Sequence, residues 1–147
     1  MKALIFIFAI CPVLWAGEVP DAIKGTWVVT GYRFGGTSAL SEKDAKAWIG
    51  KTLVVDKTCI SLDSGRISSP RVQHKVHDSE TYFWDGFRIK PSDVGFTPKQ
   101  VHEYEILHQD GTLWTAPGCA LLLLPHAEAL TSWDGVFFVL KRKLSDK

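Results

Sequence analysis

Two acidic residues share the same local context and are the first candidates for catalysis. Asp85 and Asp134 each lie between a Trp and a Gly, within residues 84–86 and 133–135. Two carboxylates that face each other can act as the acid and the base of glycoside hydrolysis. Asp-Gly after an aromatic residue is, however, typical of a hairpin turn. We therefore expect turns at both positions rather than a catalytic pair.

The histidines form no pattern of metal ligands. His74 and His77 are three residues apart, and in a strand this spacing places the two side chains on opposite faces. The other histidines are scattered near predicted strand ends: His102, His108 and His126. No group of His, Cys and Asp has the spacing of a zinc site. We expect surface histidines, no bound metal and no cofactor.

Motifs for a nucleophile or for phosphate binding are missing as well. The sequence has no Gly-x-Ser-x-Gly, and Gly35 and Gly36 lack the lysine context of a P-loop. On the strand that starts at Val101, Glu103 and Glu105 alternate with His and aromatic or apolar residues, which predicts that both carboxylates face solvent. The sequence therefore predicts that the protein is not an enzyme.

Aromatic residues are the remaining feature with chemical potential. They are Trp27, Trp48, Trp84, Trp114, Trp133, Tyr82, Phe83 and Phe87. They either fill the interior of a small β-barrel or line a pocket for an apolar or aromatic ligand, and the sequence leaves both interpretations open. Because Tyr82, Phe83 and Trp84 are consecutive, at least one of them should point outward, at a pocket mouth or a partner surface.

Candidate ligand contacts follow from this pattern. They are Arg33, Tyr82, Trp84 and Trp114. By the two-residue period of a strand, Arg33 shares a face with Trp27 and Val29, so its guanidinium would reach an anionic head group inside the fold.

The amino-terminal segment has the layout of a secretory signal peptide. Residues 1–17 contain Lys2, an apolar run interrupted by Pro12, and the small residues Ala16 and Gly17, with the cut after one or the other. The segment is too short for a stable membrane span. We expect one exported domain, residues 18–147, in the periplasm or outside the cell.

Charge and cysteine content agree with an exported domain. The chain has 17 basic and 16 acidic residues, and Lys2 is the one charged residue of the leader, so the remainder is neutral. A neutral domain argues against nucleic-acid binding. Cys11 lies in the leader, and the remaining pair, Cys59 and Cys119, predicts one disulfide in an oxidising compartment. The alternative is two separately buried thiols.

Short strands dominate the predicted secondary structure. They cover Gly25–Phe34, 51–56, Cys59–Leu62, 71–76, 87–90, 101–108, 112–114, 120–125 and 136–143. One helix is predicted over residues 41–49, capped by Ser41 with Asp44 and stopped by Gly50, and a short turn over 91–96. The apolar run 121–124 should be covered on both faces, by the helix 41–49. This pattern predicts an all-β fold with one short helix.

The first strand carries a resemblance to a known superfamily. Gly25-Thr26-Trp27 near the start of an exported β protein resembles the Gly-x-Trp signature of lipocalins and the wider calycins. The resemblance implies an antiparallel, eight-stranded, up-and-down β-barrel in which Trp27 plugs one end and a basic residue of the last strand packs over its indole. Arg142 fits this role, since it lies on one face with Val136, Phe138 and Leu140. Gly25, Trp27 and Arg142 are thus predicted to be structural.

Two departures weaken the match to true lipocalins. A Thr-Asp-Tyr-like triplet is missing, and a helix is inserted between the first two strands. The order of segments also resembles small uncharacterised bacterial exported proteins, through Gly25–Trp27 as Gly-Thr-Trp, residues 38–50, Cys59 and residues 133–140. This second resemblance implies compartment and fold only.

Two functions remain open. The first is an exported lipocalin-like protein that binds a small hydrophobic or amphipathic ligand in the barrel mouth. The second is a protein-interaction module, such as an envelope-enzyme inhibitor or an immunity-type protein, that contacts its partner through residues 64–82. That stretch contains the basic residues Arg66, Arg71, His74, Lys75 and His77.

Overall fold

A computed structural model describes residues 17–144 as one antiparallel sheet with two α-helices and a 3-10 helix. The strands are β1 (Gly25–Phe34), β2 (Thr52–Val55), β3 (Cys59–Leu62), β4 (Gly65–Ser68), β5 (Arg71–Asp78), β6 (Gln100–Leu107), β7 (Ala120–Leu124), β8 (Glu128–Trp133) and β9 (Val136–Arg142). The helices are α1 (Glu42–Lys46), α2 (Ser79–Phe87) and the 3-10 helix Pro91–Val94. The all-β prediction is confirmed. The predicted leader lies outside the described residues except for Gly17.

The sheet is curled but open. Its nine strands run in the order β4-β3-β2-β1-β9-β8-β7-β6-β5, so β4 and β5 are the two edges of a half-barrel. The predicted closed eight-stranded barrel of a lipocalin is therefore wrong. The link between the edge strands is only Ser69 and Pro70. The Ser69 amide donates to the Thr58 carbonyl at 2.7 Å and proline has no amide, so the link offers no backbone donor to a ladder between β4 and β5.

The first described residues cover part of this opening. The backbone of Gly17 exchanges two hydrogen bonds of 3.0 and 2.9 Å with Val72 on the free edge of β5. Val19 and Ile23 follow and are buried in the inner core. The segment before β1 thus belongs to the folded domain.

The inner face of the sheet is packed with apolar side chains. Members of this inner core include Trp27, Val29, Leu53, Ile60, Ile67, Val72, Ile106, Leu121, Phe138 and Leu140. The amphipathic α1 covers one opening with Ala45, and its cap is as predicted, since the Asp44 amide donates to Ser41 Oγ at 3.1 Å. The interior is therefore filled by side chains, as one of the two interpretations of the aromatic content required.

Trp27 and Arg142 meet as predicted at one end of the inner core. The indole is 1 % exposed, and its Nε1 donates to the Ile23 carbonyl at 3.0 Å. The Arg142 guanidinium lies 4.4 Å from the ring centroid and donates to the Ala22 carbonyl. Gly25 has φ 129°, a conformation that L side chains rarely adopt, and places the chain beside Arg142. These three residues close the inner core.

A second core lies on the outer face, under α2 and the 3-10 helix. Its members are Phe83, Ile89, Val94, Phe96, Val101, Leu122, Leu130 and Phe137. Residues 121–124 are covered on both faces, as predicted, because Leu121 belongs to the inner core and Leu122 to the outer one. The covering helix is α2, however, and not the predicted helix around α1.

Sequence reasoning missed α2, and with it several strand assignments. The aromatic residues 82–84 and 87 fit a strand pattern, but Asp78 caps a helix by accepting from the Thr81 amide at 2.9 Å. The predicted strand 87–90 is wrong because Arg88, with φ 57°, ends α2 in the left-handed conformation. The predicted strand 112–114 forms only one bridge, between Leu113 and Leu107. Strands β4 and β8 were not predicted.

One of the two Asp-Gly pairs forms a hairpin turn. Asp134 and Gly135, with φ 49° and 81°, connect β8 to β9 as a two-residue turn. Asp85, by contrast, lies within α2. The two carboxylates thus belong to different kinds of element.

Among residues 17–144, no helix is both long and apolar enough to cross a membrane.

Candidate functional site

The structure separates the four predicted ligand contacts into three places. Arg33 lies opposite Phe137, whose side chain belongs to the outer core, while Trp27 lies opposite Arg142. A β-bulge between Val29 and Gly31 shifts the register by one residue, which transfers every later side chain to the other face. The predicted interior position of Arg33 is therefore wrong, and its side chain is exposed.

Trp114 is buried in the inner core, where it is 5 % exposed. Tyr82 and Trp84 both belong to α2, on the outer side of the sheet, but they line different clefts. The two α2 residues are thus the ones among the four that belong to one element.

Sequence reasoning missed the buried carboxylate beneath α2. Glu103 of β6 was predicted to face solvent, but it is only 8 % exposed because α2 covers it. Its Oε1 accepts a hydrogen bond from the Tyr82 hydroxyl at 2.7 Å, and its Oε2 lies 2.9 Å from His77 Nε2. A buried carboxylate needs such partners, since leaving it unpaired would cost several kcal/mol. The network fixes α2 to the sheet.

The electrostatics of this network depend on Tyr82. Burial of the phenol, followed by the negative charge of Glu103, raises the pKa of Tyr82 well above its ordinary value. Next to it, Lys75 forms an ion pair with Glu105 at 2.7 Å. Of the basic residues between 64 and 82, Lys75 and His77 thus face acidic partners, which leaves less of a basic patch than the sequence predicted.

This shift predicts a loss of stability in alkali. Between the ordinary tyrosine pKa of about 10 and the higher folded value, the unfolded chain releases the Tyr82 proton while the folded chain keeps it. The free energy of unfolding should therefore fall as the pH rises above about 10. In Tyr82→Phe this part of the decline should disappear. Urea midpoints measured from about pH 8 to pH 11 check this, and parallel profiles for both proteins would contradict it.

Above the network, α2 and the end of β5 enclose a surface cleft of about 450 Å³. We call it the α2 cleft, and its lining residues are His77, Asp78, Thr81, Tyr82, Asp85, Gly86 and Phe87. The rings of Tyr82 and Phe87 give it an apolar wall. Asp78 and Asp85 give it two carboxylates, and no Lys or Arg lines it. Hydrogen bonds from the Thr81 amide and hydroxyl lower the pKa of Asp78, which keeps that carboxyl ionised.

Helical periodicity would have revealed this site. Phe83 and Phe87 are four residues apart and follow an Asp-x-x-Thr cap, which is the spacing of one buried helical face. The consecutive aromatic residues hid the period. Without α2, nothing in the sequence brings Asp85 near His77 or covers Glu103.

His74 and His102 lie next to each other on the inner face of β5 and β6. His74 Nε2 is 3.1 Å from His102 Nδ1, and the His74 ring stacks on Tyr104 with centroids 4.4 Å apart. His77 is on the outer face, so the predicted separation of His74 and His77 is confirmed. Burial, with a further contribution from His102, lowers the pKa of His74. Within residues 17–144, no group of His, Cys, Asp and Glu could hold a metal ion.

The two cysteines are free thiols in the structure. Cys59 begins β3, and Cys119 precedes β7, where burial raises the pKa of its thiol. The predicted disulfide is therefore not formed here. Each thiol is half-buried, whereas the alternative interpretation expected two separate, buried thiols.

Comparisons with protein-family models, with curated proteins and with solved structures found no match to this chain.

Proposed function

We propose that the protein is an exported, non-enzymatic binding module that takes a small amphipathic ligand in the α2 cleft. The observation that carries this proposal is the combination, in one concave site of about 450 Å³, of aromatic walls and carboxylates. Ligand sites in proteins are clefts of this size, with apolar walls and a few convergent polar groups. The site is on the outer side of the sheet and not in the barrel mouth, because the inner face is packed.

The charge of the cleft selects the charge of the ligand. Asp78 and Asp85 carry negative charge at its rim, and Glu103 lies beneath Tyr82. Among the lining residues, His77 is the one side chain that protonation makes positive. A cation attached to an apolar body would pair with a carboxylate and rest against the rings of Tyr82 and Phe87. The ligand class is thus an amphipathic organic cation.

Export is supported by the leader pattern of residues 1–17. Recovery of the protein from cells with the leader still attached would refute this part of the proposal.

Binding is tested with phenethylamine, an aromatic ring that carries one ammonium group. Ligand-observed NMR titration should show phenethylamine binding at least about tenfold more tightly than phenylacetate, which has the same ring and the opposite charge. Asp85→Asn should weaken phenethylamine binding. Glu42→Gln, which removes one negative charge from the exposed face of α1, should not. Equal binding of both probes, or no effect of Asp85→Asn, would contradict the proposal.

A further inference from the structure

A second cleft lies on the other side of α2. It encloses about 350 Å³, and its lining residues are Glu80, Thr81, Trp84, Asp85, Ile89 and Lys90. We call it the Trp84 cleft. Because Thr81 and Asp85 line both clefts, the two are neighbours, on either side of these two residues of α2. A ligand longer than one ring system would reach from one cleft into the other.

Trp84 gives the second cleft an exposed aromatic face. Its side chain is 55 % exposed, whereas its neighbour Phe83 is fully buried. The Arg88 guanidinium lies 5.8 Å from the indole centroid and helps to hold the ring in place. An exposed indole next to a cleft offers a ligand a large apolar face to cover, and Trp is enriched at binding interfaces for this reason.

The polar groups around Trp84 include both donors and acceptors. The carboxylates of Glu80 and Asp85 accept hydrogen bonds, the Lys90 ammonium donates them, and the Thr81 hydroxyl does both. Ile89, only 8 % exposed, adds an apolar surface. A molecule with many hydroxyl groups matches this set, because each hydroxyl can donate to a carboxylate or accept from an ammonium. A pyranose ring also has a C–H face that can cover the indole.

We infer that the Trp84 cleft binds a pyranose ring of an oligosaccharide whose neighbouring residue carries an ammonium group in the α2 cleft. The ligand class is thus an oligosaccharide of amino sugars. This inference rests on the proposed function, since it assigns the cation of the α2 cleft to the same molecule. Trp and Arg also occur at protein–protein hot spots. Two neighbouring clefts of about 350 and 450 Å³ favour a small ligand with two ring-sized parts instead.

The test compares sugars that differ in charge and length. The probes are the glucosamine trimer, the glucosamine monomer, the N-acetylated trimer and maltotriose, and binding is followed by tryptophan fluorescence and NMR. The glucosamine trimer should bind at least about tenfold more tightly than the monomer, because it occupies both clefts at once. The N-acetylated trimer and maltotriose should bind more weakly, because neither carries an ammonium group.

Variants locate the sugar on the surface. Trp84→Ala should reduce the affinity for the glucosamine trimer to that of the monomer, and Trp84→Phe should retain part of the difference. Phe34→Ala, which removes an exposed ring from the end of β1, should leave the affinity unchanged. An unchanged thermal unfolding temperature shows that Trp84→Ala is folded.

The outcomes separate this inference from the proposed function. If phenethylamine binds but the trimer binds no better than the monomer, the saccharide assignment is overturned and the proposed function stands. If neither probe binds, both are overturned, and a protein partner at Trp84 becomes the better explanation. If the trimer binds but Trp84→Ala leaves its affinity unchanged, the Trp84 cleft is not the subsite.

Discussion

Trp27→Ala is expected to lower the free energy of unfolding by about 3–5 kcal/mol, the range for removing a buried large aromatic side chain. The indole is 1 % exposed and packs within the inner core. Its loss would also remove the hydrogen bond to Ile23 and leave the Arg142 guanidinium above a cavity. Because both sides of the contact lose partners, the effect should lie well above that of an average substitution.

Urea unfolding measures this effect, with Trp84→Ala as the matched control. Trp84 is the same residue type but 55 % exposed, so its removal should change the free energy by no more than about 0.5 kcal/mol. If Trp27→Ala does not fold, Trp27→Phe keeps the experiment informative, since the smaller ring should give a reduced but measurable loss. A midpoint for Trp27→Ala equal to that of the unchanged protein would refute the closing role of Trp27.

Phe83→Ala is expected to have an effect of similar size, about 3–5 kcal/mol, on the outer layer. Phe83 is fully buried, and its ring centroid lies 5.1 Å from that of Phe96 and 5.8 Å from that of Phe137. Together with Phe87, whose ring centroid lies 4.8 Å from that of Phe137, it packs α2 on β9. Its loss should therefore loosen α2 and with it the α2 cleft.

Two measurements separate this effect from a general loss of stability. Urea unfolding gives the free energy, and Phe34→Ala, at a ring that is 39 % exposed, is the control with the same chemical change. Amide hydrogen exchange should increase in α2 of Phe83→Ala more than in β1 or β9. Uniform exchange across all three elements would show that α2 is not a separate layer held by Phe83.

The resemblance to lipocalins and local periodicity together predicted the closed end of the inner core. The resemblance implied a basic residue over Trp27, and the uninterrupted alternation of residues 136, 138, 140 and 142 in β9 correctly selected Arg142. The same period failed for Arg33 because β1 contains a bulge after Val29. A bulge inserts one residue without a clear sequence signal, and one residue is enough to exchange the faces of a strand.

The outer layer was the part that sequence reasoning could not place. The run 121–124 correctly indicated burial on two faces, but the covering element was hidden, because Tyr82, Phe83 and Trp84 favour a strand as single residues. In the structure these residues form a helix, because Asp78 caps it and Phe83 buries its ring against the sheet. Glu103 was assigned to solvent for the same reason, since its cover comes from an element that was not predicted.

Closure of the sheet also depended on the short link between β4 and β5. The resemblance to lipocalins implied an up-and-down arrangement, and the neighbouring strands do pair in that order from β5 to β9 and from β1 to β4. The Ser69-Pro70 link offers no free backbone amide to a ladder between β4 and β5, and the half-barrel is open there. The pattern of apolar residues in the strands does not predict whether such a link allows pairing.

We propose that the ligand binds at α2, outside the sheet, while the inner face is packed with side chains. Amide NMR spectra of the full domain, recorded during a phenethylamine titration, show which of the two faces the ligand contacts. The largest shift changes are predicted at His77, Thr81, Tyr82, Asp85 and Phe87, with little change at the inner-core residues Leu121 and Phe138. Shift changes concentrated at Leu121 and Phe138, or no saturable change at α2, would contradict the claim.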